Sequence, residues 1–149
     1  MKTIMDEAAV TNVISKFITY FAKVLPDDIT AKLQELRAEE TDEMPALIYD
    51  TMFKNQELAR QLDRPCCQDT GVIQFFPKVG TAFPLIDRLP DIFRNAVLSA
   101  TANAPLRHNA VETFDEKNTG NNTGYRVPTV DWEIVPNSDE LVLDIYMAG

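Results

Sequence analysis

Apolar residues recur at helical spacing over the N-terminal part of the chain and alternate with polar ones near its end. Val10, Val13, Ile14, Phe17, Ile18, Phe21 and Val24-Leu25 share one helical face, and Pro26 stops the pattern. Asp27-Asp28 then offers N-caps for a second helix carrying Ile29, Leu33 and Leu36. A third helix is predicted from about Pro45 to Leu62, with Leu47, Ile48, Met52, Leu58, Ala59 and Leu62 on one side and Arg64-Pro65 as its end. These stripes predict faces turned to a core or to a partner subunit. From Val72 the character changes. Val72-Ile73-Gln74-Phe75-Phe76 reads as a short strand, with Pro77 marking an edge or end. Pro90 opens a helix carrying Ile92, Phe93, Ala96, Val97 and Ala100, and Pro105 closes it.

Residues 106–128 are predicted to be a loop, rich in turn formers over Asn118-Thr119-Gly120-Asn121-Asn122-Thr123-Gly124. Val130-Asp131-Trp132-Glu133-Ile134 and Leu141-Val142-Leu143-Asp144-Ile145-Tyr146 alternate at period two, with Pro136-Asn137-Ser138-Asp139 as the turn of a β-hairpin. The order predicts an α+β fold: N-terminal helices, then a small mixed sheet with a crossing helix and a C-terminal β-hairpin. The 149 residues fit one domain, 1–149.

Hydrophobic residues at 45% and charged residues at 25% are ordinary globular values. No uninterrupted apolar run approaches the ~18–20 residues of a membrane span. The start, Met1-Lys2-Thr3-Ile4-Met5-Asp6-Glu7, lacks the layout of a secretory signal. A cytoplasmic protein is the expectation. The formal charge of −9 argues against nucleic acid and anionic membrane as partners. A small anion remains admissible, because one or two arginines can hold it locally.

Two stretches are dense in reactive groups. Arg64-Pro65-Cys66-Cys67-Gln68-Asp69-Thr70-Gly71 lies where a helix gives way to a strand. A thiolate there can ligate a soft metal, a carboxylate can move a proton, and an amide can orient a substrate carboxylate. The competing reading makes both cysteines small buried hydrophobes and Asp-Thr-Gly a tight turn. Adjacent cysteines rarely form a disulfide, and with His108 as the only histidine the chain cannot build a four-ligand zinc site. Asp69-Thr70-Gly71 also matches the aspartic-protease tripeptide, but the long helical stretch before it does not suit that all-β setting. The second stretch is Leu106-Arg107-His108-Asn109-Ala110, followed by Glu116-Lys117-Asn118-Thr119-Gly120-Asn121. Arg107 can grip a carboxylate bidentately and the glycines admit an anion, or the segment is a solvated loop.

Both stretches carry a resemblance. Arg64-Pro65-Cys66-Cys67-Gln68-Asp69-Thr70-Gly71 resembles the Cys-Gln-Asp-Thr-Gly signature of the class I, iron–sulphur fumarate hydratase and L(+)-tartrate dehydratase family. Ala104-Pro105-Leu106-Arg107-His108-Asn109-Ala110-Val111-Glu112 and Asp115-Glu116-Lys117-Asn118-Thr119-Gly120-Asn121 are similar to an alpha subunit of that family, as is Ile145-Tyr146-Met147-Ala148-Gly149.

The resemblance implies the N-terminal part of a hydro-lyase that dehydrates a hydroxy-dicarboxylic acid. L(+)-tartrate to oxaloacetate plus water is the expected reaction, with fumarate/malate interconversion as the alternative. It implies a 4Fe-4S cluster acting as Lewis acid, with Cys67 as its one ligand here, since Cys66 falls where the family requires no cysteine. Gln68 and Arg107 match substrate-binding residues and Asp69 a residue of proton transfer. The expected partners are a beta subunit or C-terminal domain, in a homo- or hetero-oligomer. The family's other two cysteine ligands and its partner groups are not among these residues. The chain alone is therefore expected to be inactive, or to act only as a non-catalytic assembly domain.

Overall fold

The computed structural model describes residues 5–67, 69–104 and 106–149. Three helices come first: α1 (Glu7–Lys23), α2 (Asp27–Glu39) and α3 (Glu43–Leu62). The strand β1 (Val72–Gly80), a single 3-10 turn (Ile86–Arg88) and the crossing helix α4 (Leu89–Asn103) follow. The strands β2 (Thr129–Val130), β3 (Glu133–Val135) and β4 (Leu141–Ala148) complete the α+β architecture.

Local chemistry explains most of the helix ends. Asp6 caps α1 by accepting from the Ala8 amide at 3.1 Å. The N-cap of α2 is Pro26, whereas Asp27-Asp28 was the expected cap. Both aspartates lie in the first turn instead, where their charges still oppose the positive end of the helix dipole. Helix α3 starts two residues before Pro45, because proline is tolerated in a first turn, and Asp63 ends it in a left-handed conformation (φ 52°).

The sheet is mixed. Parallel β2 and β3 lie end to end along one side of β1, pairing with Gln74–Phe75 and Lys78–Gly80. Antiparallel β4 pairs with the other side over Val72–Val79. The two C-terminal strands and their turn form a hairpin-like element, with β1 lying between its arms. Pro77 is therefore neither the edge nor the end that was expected; it sits inside a central strand. The reason is a gap. The Phe75 carbonyl accepts from the Asp131 amide at 2.9 Å, so the alternate position Pro77 points its nitrogen to the same side. There β2 and β3 leave residues 76 and 77 unpaired, and no rung is lost.

One face of the sheet carries the core. Ile73, Phe75 and Val79 of β1 pack beneath Ile14, Ile18 and Ala22 of α1 and Ile92, Phe93, Ala96, Val97 and Ala100 of α4. Phe93 stacks on Phe75, ring centres 4.6 Å apart, and on Trp132 at 5.7 Å. Burying each such phenylalanine contributes about 2–3 kcal/mol. The opposite face, with Phe76, Val142 and Tyr146, is exposed. The face that α1 buries is narrower than its apolar stripe, leaving Val13 and Phe17 open. Within the chain the α3 stripe does not join the core, since Leu47, Ile48, Met52, Leu58 and Leu62 are exposed. The stretch Glu7–Glu39 is long and apolar enough, by length and composition alone, to cross a membrane. Pro26 divides that stretch into two helices, and α1 spends Ile14, Ile18 and Ala22 on the core.

Candidate active site

The site is built where α3 gives way to β1. The Cys66 amide donates to the Ala22 carbonyl at 3.0 Å, and the Asn55 side chain donates to the Cys66 carbonyl. The turn is thus tied to the end of α1 and to the interior of α3. The next residues bend sharply: Gly71 has φ +72° and its N–H donates to Asp69 Oδ1 at 3.1 Å. Glycine is required there, because a Cβ would stand 2.5 Å from the Ala148 carbonyl carbon of β4. Cys67 and Asp69 are both exposed, and both line a cleft of about 260 Å³ with Phe21, Leu25, Thr70 and Met147. Cys66 lines it too, and burial pushes its thiol above the ordinary range.

The arginine segment is joined to this turn by hydrogen bonds that span the sequence. The Arg107 amide donates to Thr70 Oγ1 at 3.1 Å. Asn109 Nδ2 donates to Asp69 Oδ1 and to the Gly71 carbonyl, both at 3.0 Å. Buried Asn122 holds the segment from behind: its Oδ1 accepts from the Asn109 amide at 2.7 Å. Its Nδ2 donates to the Arg107 carbonyl at 3.0 Å and to Thr101 Oγ1 of α4 at 3.2 Å. Asn122 sits at φ 60°, a conformation asparagine accepts more readily than most residues. Residues 106–128 are the irregular loop that was expected, exposed over 113–118, but hydrogen bonds knit its ends into a platform with Leu106, Ala110, Asn122 and Thr123 buried.

Cys67 and Asp69 line one cleft and the Arg107 segment is hydrogen-bonded beside it, whereas Gln68 lies outside the described residues. The Arg107 side chain is exposed, and among the described residues it forms no ion pair with an acid. His108 is exposed as well, its carbonyl taken by the Asn118 side chain. Sequence reasoning missed Asn109 and Asn122 as positioning groups. Turn-forming asparagines and network asparagines carry the same local signature, and only the fold separates them.

Cys67 offers one exposed cysteine sulphur, a soft ligand suited to iron. Among the described residues no three His, Cys, Asp or Glu side chains converge on a metal. These residues by themselves do not fit a four-iron cluster.

Comparison with known proteins gives the family. The chain is 50% identical over 139 residues to the L(+)-tartrate dehydratase subunit alpha of Escherichia coli K12, covering 93% of this chain and 46% of that protein. The same values hold for the L(+)-tartrate dehydratase subunit alpha of Shigella sonnei. A putative L(+)-tartrate dehydratase subunit alpha from Methanocaldococcus jannaschii is 27% identical over 132 residues, 87% of this chain and 46% of the relative. The chain spans about half the length of the curated relatives it matches. Residues 11–149 match the profile described as fumarate hydratase (Fumerase), nearly the whole chain including the Cys67–Gly71 turn and the Arg107 platform. By that match this chain belongs to the fumarate hydratase (Fumerase) family.

Proposed function

We propose that the chain is the N-terminal part of a hydro-lyase alpha subunit that removes water from a hydroxy-dicarboxylic acid, with L(+)-tartrate as substrate and oxaloacetate as product. The observation that carries the reading is the Thr70–Arg107 and Asn109–Asp69 linkage. It brings the Asp69 carboxylate and the backbone of Arg107 into one hydrogen-bonded unit from segments far apart in the chain. Asp69 is the group to move a proton from the carbon next to the leaving hydroxyl. Its Oδ1 is held by the Asn109 amide and the Gly71 N–H, which keeps the carboxylate in one orientation. Arg107 is the group to pair with a substrate carboxylate. Gln68 is assigned to substrate binding on sequence alone.

A 4Fe-4S cluster would supply Lewis-acid assistance to the leaving hydroxyl. Cys67 is its proposed ligand from this chain, with the other ligands and a beta subunit or C-terminal domain coming from polypeptide outside these residues. The relatives' designation as a subunit alpha supports an oligomeric enzyme. The description of the family profile favours malate and fumarate as the second choice of substrate. The reading includes a cytoplasmic location, supported by two free thiols.

The test grafts residues 11–149 in place of the matching stretch of the E. coli subunit alpha, purified anaerobically with its partner subunit. The graft should dehydrate L(+)-tartrate. Asp69→Asn should cost about a hundredfold or more in kcat. Arg107→Lys should lower kcat/KM roughly thirty- to a thousand-fold with the cluster spectrum unchanged. If the lysine variant only melted earlier and kept normal kinetics, Arg107 would leave the site. A graft that folds and binds its partner without turnover would support the assembly-domain alternative.

A further inference from the structure

We propose that the open edge of β4, with the apolar groove beside it, takes up an added β-strand from polypeptide outside these 149 residues. The direction of the hydrogen bonds shows which groups are free. The Gly80 amide donates to the Glu140 carbonyl at 2.8 Å, so even-numbered positions of this arm face β1. By alternation, the N–H and C=O groups of Leu141, Leu143, Ile145 and Met147 point away from the sheet. Among the described residues no strand pairs with that edge. The strand is eight residues long, Leu-Val-Leu-Asp-Ile-Tyr-Met-Ala, and carries no proline and no lysine. Edges that meet only water are usually short or broken by such residues.

The groove supplies the second half of the argument. It has a volume of about 370 Å³ and is lined by Val10, Val13 and Phe17 of α1 and by Leu141, Leu143 and Ile145 of β4. A strand laid about 4.8 Å beyond β4 would place alternate side chains over Val13 and Phe17, now 65% and 47% exposed. The occupant is an extended segment with aliphatic residues at alternate positions and a cation or neutral group opposite Asp144. A second copy suits the edge less well. Two-fold pairing of β4 with itself would bring two Asp144 side chains together near the centre, between chains of charge −9 each. The relatives provide a source, since the match covers only 46% of the E. coli subunit and more than half of that protein lies outside it.

Hydrogen exchange read residue by residue on the 149-residue chain tests this. The probes are short overlapping synthetic peptides covering the unmatched part of the E. coli subunit alpha. Alone, the amides of Leu143, Ile145 and Met147 should exchange about tenfold or more faster than those of Val142, Asp144 and Tyr146. One peptide with the alternating pattern should bind and slow the outward set. Val13→Asp, at an exposed site, should weaken that binding about tenfold and leave the circular dichroism spectrum unchanged. The proposal is overturned if no peptide slows the outward set or if binding protects another surface. Protection without any peptide overturns it too, and sedimentation as a dimer would then identify a second copy as the occupant.

Discussion

Cys66 and Cys67 are neighbours in the chain with different chemistry. Cys67 is exposed, whereas Cys66 is half-buried and its thiol is raised by burial, with a smaller contribution from Cys67 beside it. The thiolate is the reactive form, so near pH 8 iodoacetamide should modify Cys67 first. Peptide mass spectrometry over a time course checks this, and equal rates would contradict the assignment. Asn122 acts through the backbone instead. Its replacement by alanine strands the Asn109 amide, leaves the Arg107 carbonyl only the longer 3.5 Å bond from Thr70 Oγ1, and puts alanine at a positive φ. The expected loss is roughly 2–4 kcal/mol of unfolding free energy. A urea titration measures it, and a loss under about 0.5 kcal/mol would mean that water replaces the amide.

At the scale of elements, the entry to β1 is the most constrained place in the fold. Gly71→Ala combines a positive φ with a Cβ against the backbone of Ala148, so it should cost about 2 kcal/mol or more. A thermal melt unchanged from the parent would show that the end of β4 yields without cost. Helix attachment has a pH signature. Glu7 is held below its ordinary range by its hydrogen bond to Arg88, and Asp50 by its hydrogen bond to Arg37. Each folded-state value lies below the unfolded one. The stability they contribute is therefore present above the unfolded value and lost as pH falls through the folded one, below about pH 4. Arg37→Met with Arg88→Met should flatten the acid limb of a stability–pH curve. An unchanged limb would show that these exposed pairs contribute nothing.

For the whole molecule, the expected outcome is that the 149-residue chain, reconstituted anaerobically with iron and sulphide, turns over neither tartrate nor malate nor fumarate. The reason is chemical: among the described residues no group of three or more His, Cys, Asp or Glu side chains that could hold a metal forms around the exposed Cys67. Activity of the purified chain, measured by oxaloacetate, malate or fumarate formation, would contradict this. Much of the molecule was readable from order along the chain. Periodicity marks the three N-terminal helices, Pro90 opens α4, and the Cys-Gln-Asp-Thr-Gly turn with the Arg107 segment indicates the family, because each is a local pattern. The tertiary structure alone decided the rest. It placed Pro77 inside the sheet, left the α3 stripe exposed and made Asn109 and Asn122 the clamps of the site. Each of those outcomes depends on which distant segment lies alongside, and no spacing within one segment encodes its neighbour in space.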